Sequence, residues 1–291
     1  MHDLTFAFLS TTSGDKREAV LLARSLAWLF PEEEPPSILL LSPQDERPPA
    51  DLVESLRNFP VRQLQYRLPD SLQAVPFAQK VFAAAEAEAA VNYGSLAWLD
   101  TDTLVLERPD ALCLPPGKEA AGCPVHLKNI SSPADRPPDA FWAFLFEQCQ
   151  TPAEHIFAIT TQVDCVSIHA HFNAGCLSVR PGAGLFNSWK ESFERIASTA
   201  AARPFLEKSP LHRTFFHQAV LAAVLLAHLS PDEILLLPEE YNYPVFLEEK
   251  HGLTPPSNPV TLRYDNYNYF RSGSPAFARW LPKIEHFNRR D

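Results

Sequence analysis

The chain has 291 residues, of which 46% are hydrophobic, enough to bury the core of one large α/β domain. Its net charge of -10 excludes the broad basic surface that a nucleic-acid binder needs for phosphates, and it excludes docking on anionic lipid through charge. An anionic ligand would need a local cation, either a basic side chain or a metal ion.

No secretory signal or membrane span is expected. The apolar run at 4–9 is short and follows Asp3, the run at 19–30 carries Arg24, and the run at 218–229 is too short to cross a bilayer. Five cysteines, an odd number with no CxxC pair, fit reduced thiols in a cytoplasmic protein.

The first half alternates strand and helix patterns. LTFAFLS at 4–10 reads as a strand that ends in a polar turn over 10–14, and Asp15 can cap a helix over 16–30. SILLLS at 37–42, between Pro35-Pro36 and Pro43, is a buried-strand pattern. A helix is expected over 50–58, a strand over 61–68 and an Ala/Glu-rich helix over 77–93 that stops at Gly94. LAWLD at 96–100 enters another strand. Further on, the proline-rich stretch 126–140 predicts a loop, 141–149 a helix, FNAGCLSVR at 172–180 a strand, 184–198 and 215–229 helices, and 234–244 a strand running into a turn. Such alternation predicts an α/β fold with a mostly parallel sheet flanked by helices. In such sheets ligands bind beyond the carboxyl ends of strands, which singles out the turns at 10–14 and 100–103. No repeat or composition break divides the chain, so one domain over 1–291 is expected. Residues 1–112 form its first half and 113–291 its second.

The sharpest chemical feature is LAWLDTDTLVLERPDAL at 96–112. A buried strand delivers Asp100 and Asp102, separated by Thr101. On an extended backbone, residues two apart point to one side, so the two carboxylates can share a hard divalent cation, and that cation can hold a diphosphate. Two adjacent carboxylates are costly without a cation. With only nine glycines and no GxGxxG, a metal is a better diphosphate partner here than a glycine-rich loop, and the absence of GxSxG argues against a serine hydrolase.

This stretch resembles the DxD signature of glycosyltransferases with the GT-A fold (the nucleotide-diphospho-sugar transferase superfamily), closest to the glycogenin and bacterial galactosyltransferase group. FLSTTSG is similar to that family's first-strand turn. The resemblance implies that Ser10, Thr11 and Thr12 hold the base and ribose, and that Lys80 lies near the phosphates with Asp100, Thr101 and Asp102. HFNAGCLSVRPG resembles the family's FNAG strand, with Asn173, Ala174 and Gly175 lining the donor-sugar pocket. HQAVLAA and LPEEYNYP are similar to its "DQ" helix and "LP…YN" turn. The ordered matches run from Leu4 to about Tyr269. They imply metal-dependent transfer (Mn2+ or Mg2+) of a hexose from a nucleotide sugar, a UDP-sugar by preference, to an unidentified acceptor, with a retaining outcome. Gln218, His217 and Asn173 are then the catalytic or sugar-orienting candidates, in a protein with neither a nucleic-acid partner nor an integral membrane segment.

Two departures stand out. His217 occupies the place of an acidic residue before Gln218, and TLRYDNYNYF at 261–270 lacks the histidine that commonly completes the metal shell, which leaves Asp265 as the substitute third ligand. These departures motivate an alternative, a catalytically inactive GT-A-like module that binds a nucleotide or sugar. A metal-dependent nucleotidyltransferase is a third reading, weakened by the missing glycine-rich, lysine-containing signature. Tyr264, Tyr267, Tyr269 and Phe270 could stack on a sugar but more commonly join a core. The HxH at 169–171 has no ligand partners at zinc spacing.

Overall fold

A computed structural model describes residues 4–10, 16–30, 35–266 and 275–288. Its centre is a seven-stranded sheet built from β1 (Leu4–Leu9), β2 (Ser37–Pro43), β3 (Val61–Tyr66), β4 (Ser95–Leu99), β6 (Ala120–Pro124), β9 (Phe172–Val179) and β10 (Ile234–Leu236), in the order β10-β6-β9-β4-β1-β2-β3. All neighbours are parallel except β9, which runs antiparallel to both β4 and β6. Two short sheets are added. One holds β5 (Thr103–Val105), β11 (Tyr243–Pro244) and β12 (Thr261–Arg263), and the other pairs β7 (Ala158–Thr160) with β8 (Ser167–His169).

Both faces of the central sheet are buried, and alternate side chains divide between them. Ala7, Leu39, Leu41, Leu96 and Trp98 face one core, closed by residues of α3 (Ala78–Ala89), α4 (Ala140–Cys149), α5 (Leu185–Ala197) and α7 (Pro210–His228). Phe6, Phe8, Ile38, Leu40, Ala97 and Leu99 face the other, closed by α1 (Lys16–Leu29) and α2 (Ala50–Ser55). This two-sided burial is why β1, β2 and β4 read as nearly continuous apolar runs. Helix α7 begins five residues before the expected 215, because Pro210 is favoured at a helix start and the Ser209 hydroxyl caps it by accepting from the His212 N–H. A short helix, α6 (Arg203–Lys208), precedes it where none was expected. Among the described residues no helix is long and apolar enough to cross a membrane. All five cysteines are free.

Candidate active site

The reversed strand β9 decides where the site forms. Its register against β4 sets Leu99 opposite Cys176, so the beginning of β9 lies beside the end of β4. The Asp100 N–H donates to the Gly175 carbonyl at 2.8 Å, which binds the DTD and FNAG segments to each other. The expectation of an extended DTD is corrected here. Strand β4 ends at Leu99, and residues 100–103 form a tight turn in which the Thr103 N–H donates to the Asp100 carbonyl at 3.1 Å. The two carboxylates converge through this turn, not through strand alternation. Strand β5 then pairs antiparallel with β12, setting Arg263 opposite Thr103. The Asn242 N–H donates to the Thr261 hydroxyl at 2.6 Å, so the "LP…YN" turn anchors the strand that carries Arg263.

Between the carboxylates lies the Arg263 guanidinium. Nη1 is 2.8 Å from Asp100 Oδ2 and Nε is 2.7 Å from Asp102 Oδ2. Lys80 Nζ donates to the same Asp100 oxygen at 2.6 Å, and the Trp98 indole N–H donates to Asp100 Oδ1 at 3.1 Å. The cluster is almost shut off from solvent, with Lys80 5% and Asp102 6% exposed, so its charges act through a low dielectric. Burial would raise the Asp100 carboxyl, but Lys80 and Arg263 outweigh it and hold it below the usual range. Burial pushes Asp102 upward, beyond what Arg263 offsets, and neighbouring Asp100 adds to the rise. Burial also lowers the Lys80 ammonium.

These residues do not fit a resident divalent ion. One oxygen of each carboxylate is ion-paired, Asp100 Oδ2 to both the guanidinium and the ammonium and Asp102 Oδ2 to the guanidinium, and no group of three His, Cys, Asp or Glu side chains among the described residues could hold a metal. The expected triad of Asp100, Asp102 and Asp265 is therefore not formed. Asp265 lies beyond the end of β12 in a left-handed conformation (φ 71°), exposed and bonded to the Asn266 amide at 3.3 Å. It is Arg263, two residues earlier and still in the strand, that meets the pair.

Two clefts meet at this cluster. One, of about 460 Å3, runs from the ends of β1 and β4 past Glu18 and Thr101. The other, of about 300 Å3, is bordered by His126, Asn173, His217 and Gln218. Phe77, Lys80, Asp100, Arg263 and Asp265 line both. A larger cleft of about 880 Å3 lies between α1 and α2 and contains none of these residues.

The model of the Rhodobacterales glycosyltransferase domain matches residues 12–227, more than half of the chain. The chain belongs to this glycosyltransferase family. Its fold is GT-A. The glycosyltransferase GlyE of Streptococcus pneumoniae TIGR4 superposes with a TM-score of 0.58 at 13% identity, over 99% of this chain and 60% of GlyE, so the chain spans well under two thirds of that relative. The galactosyltransferase LgtC, solved in complex with donor and acceptor sugar analogs, gives 0.58 at 11% identity over 97% of this chain and 94% of LgtC. Mouse xyloside xylosyltransferase 1 gives 0.50 at 14% identity, over 90% and 98%. No curated protein matches the chain in sequence.

The other candidate residues of this glycosyltransferase separate into three groups. Thr11, Thr12, Asp15, Tyr267, Tyr269 and Phe270 lie outside the described residues. Ser10 is buried, with both its N–H and its hydroxyl donating to the Leu41 carbonyl, so its side chain is committed to the fold. Tyr264 joins a core, its hydroxyl donating to the Thr101 carbonyl.

A second group lies at the clefts. The Thr101 hydroxyl donates to Glu18 at 3.4 Å on the wall of the larger one. Asn173 Oδ1 accepts from the Gly175 N–H at 2.8 Å, while its amide nitrogen is left toward the smaller cleft with no partner among the described residues. His217 is buried; its Nδ1 donates to the Thr214 carbonyl, and burial holds its pKa well below the usual value.

Gln218 and Ala174 form a third group, fixed internally. The Ala174 N–H donates to Gln218 Oε1 at 3.1 Å, and the Gln218 amide N–H2 donates to His171 Nε2 at 3.4 Å. His171 Nδ1 in turn meets the Ser131 hydroxyl at 2.7 Å. Both ends of the Gln218 amide are thus engaged with protein, and the HxH histidine is part of this relay.

Sequence reasoning missed Arg263 and Phe77. Arg263 is the only cation in 261–270, at the end of a three-residue strand, and its complementarity to Asp100-Asp102 was the available signal. Phe77 precedes α3 with φ 61°, is 45% exposed, stacks on His217 at 4.5 Å and lies 5.1 Å below Lys80 Nζ. A bulky residue in the left-handed region points to a functional constraint, and nothing in the sequence marks it.

Proposed function

We propose that this glycosyltransferase moves a hexose from a nucleotide diphosphate sugar, a UDP-sugar by preference, to an acceptor. The observation that carries this reading is that two clefts meet at one buried cluster presenting two cations. The larger cleft, at the carboxyl ends of β1 and β4, suits the nucleotide. The smaller one, beside Asn173 and Phe77, suits the sugar and the approaching acceptor. The diphosphate then lies where they join.

When the bond from the sugar's anomeric carbon to the diphosphate oxygen breaks, the electron pair stays on that oxygen. An ammonium has three donors, and Lys80 directs two of them at Asp100 and at the Ala174 carbonyl. Its remaining N–H is free to meet a phosphate oxygen, and fixed cations in a buried site stabilise charge that develops there. Asn173 contributes its amide N–H2 to the sugar. Gln218 acts as a positioning residue, holding Ala174 and so the backbone under the sugar. His217, neutral and stacked on Phe77, borders the acceptor side. Retention of anomeric configuration is the outcome that the resemblance favours.

A binding module without turnover is the second reading, favoured by the internal pairing of both cations with Asp100 and Asp102. Incubation with a panel of nucleotide sugars and acceptor sugars separates the two. Release of nucleoside diphosphate from one donor supports the transferase, and saturable binding without release supports the module.

A further inference from the structure

We infer that Arg263 is the built-in cation of this site, a guanidinium standing between Asp100 and Asp102 in place of a divalent ion, so that diphosphate binding here needs no metal. The inference deepens the donor-binding reading above and takes its ligand from it.

Four observations carry it. The guanidinium makes two separate ion pairs, one per carboxylate, through different nitrogens at 2.8 and 2.7 Å. That is the bridging role a shared ion would fill, and a guanidinium is suited to it because its donors form a rigid planar fork. The space for it is shaped by the fold: a Cβ on residue 175 would come within 1.8 Å of Arg263 Nη1 and 2.7 Å of Asp100 Oδ2, so glycine at this position admits the guanidinium. The strand carrying Arg263 is held from both sides, by β5 and by β11, and the Tyr264 N–H donates to the Asp102 carbonyl at 3.1 Å, so the side chain starts from a fixed backbone. Finally, Asp265, the carboxylate available to complete a metal shell, is exposed past the end of the strand in a left-handed conformation, and it bonds to the Asn266 amide rather than to the pair.

The charge balance gives the consequence. A divalent ion on two ionised carboxylates sums to zero, and Lys80 would leave one positive charge over. With Arg263 in the ion's place the same sum, Lys80 included, is zero. An entering diphosphate therefore meets donors rather than net charge. Arg263 has five N–H groups, and two are turned to the carboxylates. The residue lines both clefts, and its other N–H groups have no partner among the described residues. A metal could enter only by displacing a guanidinium from two buried carboxylates, which would strand its charge in a low-dielectric site.

The test is a Mn2+ titration of the full chain followed by the electron paramagnetic resonance of the free ion, with UDP binding measured calorimetrically in EDTA and in Mn2+. The wild type is expected to leave Mn2+ free, and its UDP affinity is expected to change by less than about twofold between the two conditions. Arg263→Ala, which frees Asp102 and leaves Asp100 only its bonds from Lys80 and Trp98, is expected to take up one equivalent of Mn2+. Arg263→His replaces it if the alanine variant does not fold, since a neutral imidazole can itself join the carboxylates as a ligand. Stoichiometric Mn2+ uptake by the wild type, or a loss of UDP affinity beyond about tenfold in EDTA, overturns the inference. So does a folded variant that leaves Mn2+ free, since the carboxylate pair would then not be an ion site. If neither condition gives UDP binding, the donor reading fails, and the Mn2+ titrations still decide the role of Arg263.

Discussion

Gly175→Ala isolates the contact on which the cluster depends. Gly175 lies in β9 without a positive φ, so alanine suits its backbone and any cost must come from the added methyl. That methyl would lie 1.8 Å from Arg263 Nη1. Ordinary contact needs about 3.5 Å, so the guanidinium must retreat by roughly 1.7 Å from a position 2.8 Å from Asp100. The ion pair with Asp100 is then broken inside a buried site, a loss on the order of 3 kcal/mol. Urea denaturation at pH 7 measures it, and the control is the same substitution in an Arg263→Ala background. There the guanidinium is gone and only the 2.7 Å approach to Asp100 Oδ2 remains, so Gly175→Ala is expected to cost clearly less than in the wild type, because the two substitutions share a partner and cannot add. Equal costs in both backgrounds would refute the reasoning, since the methyl would then be acting on something other than Arg263.

Two further outcomes are expected. His126 and His171 are held neutral by burial, with pKa values lowered to about 4 and about 3, and His217 is lowered in the same direction. An unfolded histidine takes up a proton near pH 6.5, so stability is full above that pH and falls below it by up to about 1.4 kcal/mol per imidazole per pH unit. Urea titrations at pH 7 and pH 5.5 check this, and a pH-independent result contradicts it. Phe77→Gly relieves a left-handed backbone worth about 1–2 kcal/mol while losing a ring stack worth about 0.5–1.5 kcal/mol. Thermal unfolding should therefore shift little while donor binding weakens; unchanged donor affinity would remove Phe77 from the site.

Much of the fold was legible because its central strands are buried on both faces. The runs at 4–9, 37–43 and 95–99 are apolar apart from Thr5, Ser37, Ser42 and Ser95, and the Ala-rich α3 has strong helix propensity. The DTD and FNAG segments could be located because each stands at the end of such a run, and their order along the chain carried the resemblance. What could not be read were contacts made by short strands far apart in sequence. β5 and β12 are three residues each, too short for periodicity to mark, yet their pairing is what brings Arg263 to Asp102 across 161 positions. That Asp265 makes no contact with the pair could not be read for the same reason. Residues 263 and 265 would share a side on an extended chain, but the strand ends at Arg263 and the backbone turns left-handed at Asp265. Gln218 also looked like a sugar contact from sequence, because its two protein partners, Ala174 and His171, lie in a segment more than forty positions away.

The most direct test of a donor diphosphate lying at the junction of the two clefts is nucleotide-sugar turnover by the wild type and by Lys80→Met, with nucleoside diphosphate release as the readout. The wild type should release nucleoside diphosphate from one donor of the panel, and Lys80→Met should lower kcat by about a hundredfold or more, the scale on which loss of one charge-stabilising donor acts. Release at the wild-type rate from the Lys80→Met protein would contradict the account.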